Sequence, residues 1–210
     1  MSSGHMGGYR NVALFGVDSR DNSLGKGTRS DTIIIASINE TTKEVKLVSV
    51  YRDTYLNLGN DSYGKANAAY AQGGPLQAIN MLNMNLDLNI TDYVTVNFDS
   101  LADIIDEMGG VTIDVTDEER FQINAYLRRG ESLKEIGMVK LNGPQAVSYS
   151  RIRKIDSDSM RASRQREVLA ALFDKALEIN PLSYPSYVRK FSPMVETSLS
   201  NDEMLKIATA

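Results

Sequence analysis

The chain has 210 residues, 42% hydrophobic and 24% charged, with a net charge of −4, which fits a folded globule with a sizeable core. It has no cysteine, so disulfides and a cysteine nucleophile are excluded. The one histidine, His5, lies in Met1-Ser2-Ser3-Gly4-His5-Met6, a stretch that resembles an expression-tag scar. Setting it aside excludes Ser-His-Asp and Cys-His chemistry and argues against zinc. Any metal would then be a hard ion on oxygen ligands, Mg2+ or Mn2+.

Asn11-Val17 is a short apolar run expected to form a buried strand. Residues 18–29 form a polar loop with two glycines. Thr32-Ile38 is β-branched and reads as a second strand, Asn39-Lys43 as a turn, and the alternating Glu44-Val50 as a third. The second and third strands are expected to pair as a hairpin.

Lys65-Gln72 is a short helical candidate closed by Gly73-Gly74, and Pro75 suits the start of another helix to about Leu86. Asp92-Phe98 reads as a strand. Asp99 is expected to cap a helix running to Met108, ended by Gly109-Gly110. Val111-Val115 reads as a strand, and Thr116 with Glu119 as the capping box of a helix to about Leu127. Arg128 to Lys140 reads as a loop.

Asn142-Gly143-Pro144 starts a short element running into Arg151. The longest helix is expected from Met160 to Ile179, with Val168, Leu169, Leu172, Phe173, Ala176 and Leu177 as its apolar stripe. Ser200 and Glu203 form a capping box for a last helix. Interleaved strands and helices give an α/β class, and the hairpin makes the sheet mixed.

Residues 1–8 read as scar and linker, and residues 9–210 as one domain. No apolar run reaches the roughly 18 residues of a membrane span. Both ends read as cut by design, with a native N-terminal anchor expected to have been removed.

Five of the chain's 13 arginines fall between Arg151 and Arg166. The guanidinium fork suits phosphate and carboxylate oxygens, so the segment is a candidate anion site. The alternative is a solvated, acid-paired helix face. Arg161, Arg164 and Gln165 share one face near a helix N-terminus, which continues into core residues Val168 and Leu172. Arg161 and Gln165 should therefore point inward, and the helix start itself favours anions. Arg151 and Arg153 project to one side if extended and diverge if helical.

A second group gathers by topology. The hairpin places Arg52 and Asp53 beside Arg29 and Asp31, and if the first strand is antiparallel to the second or parallel to the third, Asp18 ends at the same sheet edge. Asp18 and Asp31 would repel unless they shared a proton or a cation, and a bridging divalent metal would resolve the conflict. Arg29 and Arg52 would then serve a polyanion. The alternative is a set of salt bridges at strand ends. Arginines, a carboxylate-held metal and a helix start together describe a pyrophosphate site. Gly25-Lys26-Gly27-Thr28 lacks the spacing of a nucleotide P-loop.

These motifs occur in a recognisable order. Val17-Asp18-Ser19-Arg20, Arg29-Ser30-Asp31-Thr32 and Ser49-Val50-Tyr51-Arg52-Asp53-Thr54 are followed by Lys65-Ala66-Asn67-Ala68-Ala69-Tyr70 and Gly73-Gly74. Leu141-Asn142-Gly143-Pro144-Gln145-Ala146, Arg151-Ile152-Arg153 and Arg164-Gln165-Arg166 complete the series. The chain resembles the LytR-CpsA-Psr family of bacterial cell-envelope proteins from Asn11 to about Leu177. Pro144 departs from the acidic or polar residue common there, and proline is acceptable in a first helical turn.

The resemblance implies an α/β/α fold of three layers with a central mixed sheet. It implies a bacterial, Gram-positive type of protein with a single-pass membrane anchor and this domain outside the cell. It implies a phosphotransferase that moves a glycopolymer (teichoic acid, capsule or another polysaccharide) from a polyprenyl-pyrophosphate carrier in the membrane to a peptidoglycan acceptor. Asp18 and Asp31 would hold Mg2+. Arg52, Arg151, Arg153 and Arg161 would grip the pyrophosphate, with Gln165 adding a hydrogen bond and Lys65 a further charge. Asp53 would support Arg52 or take part in proton transfer.

A lipid tail would need an apolar pocket. Leu76, Ile79, Leu82, Ile104, Ile105, Phe121 and Leu127 are candidate walls, with core packing as the default for each. Other readings are a pyrophosphatase, in which water replaces the sugar hydroxyl, and a non-catalytic carrier of polyprenyl phosphate or another polyanion. A nucleic-acid partner is not expected: the chain is acidic and its arginines sit in one segment rather than along a helix.

Overall fold

The computed structural model describes residues 8–19, 24–42, 44–155 and 157–209. The tag-like residues 1–7, Arg20 of the first motif, Lys43 of the expected turn and Ala210 lie outside them. The chain divides into two compact units: residues 1–97 with 184–210, and residues 98–183.

The first unit is built on a five-stranded sheet. Its strands are β1 (Tyr9–Val17), β2 (Ser30–Asn39), β3 (Val45–Ser49), β6 (Asp92–Asn97) and β9 (Glu196–Thr197), in the order β3-β2-β1-β6-β9. A separate two-stranded hairpin pairs β4 (Tyr55–Asn57) with β5 (Tyr63–Lys65). β1 pairs antiparallel with β2 and parallel with β6, and β2 pairs antiparallel with β3. The sheet is therefore mixed, as the expected hairpin required.

Helix α1 (Ala66–Leu86) packs its apolar face on this sheet. It is two helical segments joined at a kink, since Gly73 and Gly74 leave helical geometry and Gly74 takes φ +69. Pro75 then opens the second segment, where its missing N–H costs nothing. Phe15, Ile33, Ile35, Tyr70, Met81 and Leu82 form the centre of this core. Tyr70 meets Phe15 edge to face at 5.1 Å between centroids. Its hydroxyl lies 2.5 Å from the Leu24 carbonyl and 2.9 Å from Thr95 Oγ1, which ties the loop after β1 to β6. Two later helices, α6 (Tyr184–Phe191) and α7 (Asn201–Thr209), complete the unit. Ser200 and Glu203 form the expected box before α7: Ser200 N–H donates to Glu203 Oε2 at 2.8 Å, and Glu203 N–H to Ser200 Oγ at 3.3 Å.

The second unit contains α2 (Phe98–Glu107), β7 (Val111–Val115), α3 (Asp117–Tyr126), β8 (Gly137–Leu141), α4 (Gly143–Ser150) and α5 (Asp158–Leu177). β7 and β8 form an antiparallel pair. The expected loop over Arg128 to Lys140 is thus corrected at its end, where Val139 and Leu141 alternate inward. Asp99 lies inside the first turn of α2 rather than at its cap, since the helix starts at Phe98. Thr116 and Glu119 make the expected capping box of α3, and Asn142 with Gln145 makes another before α4. Ile105, Val111, Ile123, Leu141, Tyr149, Ile152 and Val168 are central to the core. Gly143 presses on α2 so closely that a Cβ there would fall 1.9 Å from the Ala102 carbonyl oxygen.

The expected stripe of α5 is buried only in part. Val168 is core, while Phe173 and Leu177 are exposed. Of the candidate lipid-pocket walls, Ile79 and Leu82 belong to the first core and Ile105 to the second, whereas Leu76 and Phe121 face solvent.

Candidate functional site: two arginine groups

In the first unit the strand ends arrange the acids. Gly16 faces Thr32, but Val17 faces Ser30, so Asp31 is the extra residue of a β-bulge. A bulge bends the strand and re-aims a side chain, and here the re-aimed residue is an aspartate. Gly16 makes the close approach possible: a Cβ there would sit 3.0 Å from Thr32 Cβ. Asp18 follows Val17 directly and is exposed, and Arg29, just before Ser30, is exposed too.

Arg52 follows β3. Its Nη1 donates to Asp31 Oδ1 at 2.5 Å, and its Nε lies 3.4 Å from Asp53 Oδ2. Lys65 Nζ donates to Asp53 Oδ1 at 2.7 Å. Asp31, Arg52, Asp53 and Lys65 thus form one chain of alternating charge. The backbone fixes it: Asn67 N–H donates to the Arg52 carbonyl at 3.0 Å and Ala66 N–H to the Thr54 carbonyl at 2.8 Å. Those carbonyls satisfy donors of the first turn of α1, so Arg52 is held against a helix start. The Lys65 hydrogen bond, chiefly, holds the Asp53 carboxyl below the usual carboxylate range.

Could this group hold a metal? Among the described residues, no three acid, histidine or cysteine side chains gather as a cage. Asp18 and Asp31 are two hard oxygen donors flanking the paired residues Val17 and Ser30. Mg2+ is commonly held by one or two carboxylates together with substrate phosphate, so the donor set fits it. Arg52 engages Oδ1 of Asp31 and leaves Oδ2 outside that contact.

In the second unit the Arg-Ile-Arg motif lies at the end of a helix rather than inside it. Helix α4 ends at Ser150, Arg151 is its C-cap, and Ile152 is fully buried. The buried isoleucine anchors the segment between the two arginines. Arg151 Cζ lies 4.9 Å from the centroid of the Phe98 ring, a cation–π contact, and Arg153 is exposed. Nothing in the sequence marks Phe98 for this contact: it reads as the end of a strand, whereas it is the first residue of α2.

Arg161 is buried on the first turns of α5, as its core-facing position implied, and its Nη1 lies 3.2 Å from Asp158 Oδ1. Gln165 is half-buried. Arg164 is committed elsewhere: its Nε donates to Glu119 Oε1 at 2.8 Å, and its guanidinium lies over the Tyr149 ring. Tyr149 donates its hydroxyl to Glu167 Oε2 at 2.5 Å.

The first unit thus gathers two carboxylates, an arginine and a lysine in ion pairs at its strand ends, in a chain with no cysteine and no histidine beyond residue 5. The chain belongs to the LytR_cpsA_psr family, which it matches over residues 2–210. A curated relative is the polyisoprenyl-teichoic acid–peptidoglycan teichoic acid transferase TagU of Enterococcus faecalis, 36% identical over 201 residues, covering 94% of this chain and 64% of the relative. A structure described as TagT bound to LIIa-WTA superposes with a TM-score of 0.81 at 28% identity, covering 97% of this chain and 76% of that one. Another, LytR-CPS2A-psr family protein YwtF (TagT) with bound octaprenyl pyrophosphate lipid, gives 0.74 at 26% identity, covering 97% and 74%. The chain spans less than two thirds of the length of the curated relatives it matches first.

Proposed function

We propose that the protein is a phosphotransferase that moves a glycopolymer from a polyprenyl-pyrophosphate carrier to peptidoglycan. The observation that carries this reading is the Asp31–Arg52–Asp53–Lys65 charge chain, built from the family's ordered motifs in a member of that family. A peptidoglycan sugar hydroxyl would attack the phosphorus that bears the glycopolymer. The new phosphodiester bond forms, the bond to the bridging oxygen breaks, and polyprenyl phosphate leaves with the hydroxyl proton.

In the first unit we assign phosphate-oxygen binding to Arg52, with Arg29 adding positive charge; Lys65, whose ammonium is engaged by Asp53, is the weaker candidate. In the second unit the same role is assigned to Arg151, Arg153 and Arg161, with Gln165 as a hydrogen-bond donor. Such groups stabilise the charge of phosphoryl transfer mainly by position. Asp53 is best suited to holding Arg52 and Lys65, because a carboxyl with a lowered pKa is a weaker general base. Asp18 and Asp31 would hold Mg2+, which would neutralise phosphate charge when bound. No described helix is long and apolar enough to cross a membrane. A membrane-anchored location outside a Gram-positive cell is part of the same proposal, through the lipid carrier.

The test is transfer from a purified polyprenyl-pyrophosphate-linked glycan, with products resolved with and without peptidoglycan. Phosphodiester-linked polymer appearing only with the acceptor supports transfer. Release of free glycan phosphate at the same rate in both samples identifies a pyrophosphatase. Tight lipid binding with no product in either identifies a carrier.

A further inference from the structure

The hairpin of β4 and β5 has two unlike faces. Its register sets Tyr55 opposite Lys65, Leu56 opposite Gly64, and Asn57 opposite Tyr63. Alternation puts Leu56 and Gly64 on one face and the other four on the opposite face. Leu56 packs on the first unit's core, and Leu58 just beyond is buried. A Cβ at Gly64 would meet Leu58 Cδ1 at 3.1 Å, so this face is closely packed. The other face carries Tyr55 at 71% and Tyr63 at 62% exposure. Their rings stack with centroids 6.0 Å apart and planes at 26°.

A hairpin of three-residue strands is marginal alone. This one is clamped by α1. Asn85 Nδ2 donates to the Asn57 carbonyl at 2.7 Å, and Asn85 Oδ1 accepts from Asn57 N–H at 3.2 Å. Gln77 Nε2 donates to the Leu58 carbonyl at 3.1 Å, and the turn closes with Leu58 N–H to the Ser62 carbonyl at 2.8 Å. The tyrosines therefore stand on a fixed support, and their exposed rings contribute little to holding it.

We propose that Tyr55 and Tyr63 form a stacking platform for the amino-sugar strand of peptidoglycan; this rests on the transferase reading above. A pyranose ring has a face of C–H groups, which suits the electron-rich face of an aromatic ring, while the phenol can hydrogen-bond to sugar hydroxyls. Tyrosine supplies this area with only two side-chain torsions to fix. Charge selects the occupant. Lys65 is opposed by Asp53, and Asp61 in the turn adds another acid, so the face offers no net positive charge to a polyphosphate chain. An acyl chain would meet an ion pair and an amide beside the rings. A neutral N-acetylated sugar strand matches both the rings and their polar edge.

The experiment is an NMR titration of the protein, with labelled tyrosine rings, against N-acetylglucosamine tetrasaccharide. Binding needs no turnover, so its result is separable from that of the transfer assay. The Tyr55 and Tyr63 ring signals should shift and saturate. A Tyr55→Ala/Tyr63→Ala variant should bind at least about tenfold more weakly, while the double phenylalanine variant stays within about threefold. Unshifted ring signals overturn the proposal, and they do so in the wild type even if the alanine variant misfolds. Undiminished affinity in a folded alanine variant also overturns it. So does a tyrosine-dependent preference for glycerol-phosphate oligomers or for phospholipid vesicles over the tetrasaccharide.

Discussion

Arg164 Nε donates to Glu119 Oε1 at 2.8 Å, with the two side chains only 3% and 11% exposed. The other oxygen of Glu119 accepts from the N–H and the hydroxyl of Thr116, closing the cap of α3. One of the five clustered arginines is thus part of the second unit's framework. Arg164→Ala would strand a buried carboxylate and should cost about 3–5 kcal/mol of stability. Urea denaturation measures this. A loss of well under 1 kcal/mol would show that the pair is not structural.

How far this was legible in the sequence depended on what each residue faces. The strands β1, β2, β3, β6 and β7 are rich in β-branched residues or alternate, so their pattern was visible. β8 was hidden because Met138 and Ile136 put apolar side chains on the solvent side, which blurs the alternation of Val139 and Leu141. β4 and β5 are three residues each and β9 only two, too short to show a period. In the candidate site, strand order placed Asp31 and Arg52 at one sheet edge, the structure bears out the assumed β1–β2 pairing, and the two residues form the salt bridge that was the alternative reading of that edge. The bulge at Asp31, the Phe98 ring beneath Arg151 and the Glu119 partner of Arg164 depend on tertiary contacts that spacing does not encode. The signal available for Glu119 was its capping box, which explained the residue fully without a second partner.

Arg52 touches both Asp31 and Asp53 but is only half-buried. Arg52→Ala should therefore reduce transfer about 100-fold or more, the scale of losing one charge-stabilising donor. The stability change should stay within about 1 kcal/mol, as for a partly exposed ion pair. Asp53→Asn should lower transfer less, because it loosens Arg52 and Lys65 without removing either. Transfer rates beside thermal unfolding curves separate the two effects. Equal loss in both variants would give Asp53 a direct part in the chemistry.

Asp18 and Asp31 are the proposed metal ligands. EDTA should abolish transfer, and Mg2+ or Mn2+ should restore it. Asp18→Asn and Asp31→Asn should each raise the Mg2+ concentration needed for half-maximal rate by about tenfold or more, the scale on which supporting groups tune a metal site. Calorimetric titration of Mg2+ with a non-hydrolysable pyrophosphate present gives a readout independent of turnover. Unchanged metal dependence in both variants would remove the metal assignment from these residues.

The buried phenols of Tyr70 and Tyr149 should set the alkaline limit of stability. Burial raises both pKa values well above the ordinary phenol, and the Glu167 carboxylate that accepts from Tyr149 raises that one further. A folded pKa above the unfolded one gives stability that is fully present below the unfolded value of about 10 and is lost as pH rises beyond it. Each tyrosine should then contribute a decline of up to about 1.4 kcal/mol per pH unit above that point. Urea midpoints between about pH 8 and pH 11 measure the slope. Tyr149→Phe should flatten it by one tyrosine's share, at the cost of the hydrogen bond to Glu167 at every pH. The two effects are distinguishable because the lost hydrogen bond shifts the whole curve while the lost titration changes only its alkaline limb. An unchanged alkaline slope in the Tyr149→Phe and Tyr70→Phe variants would mean that other groups set the limit.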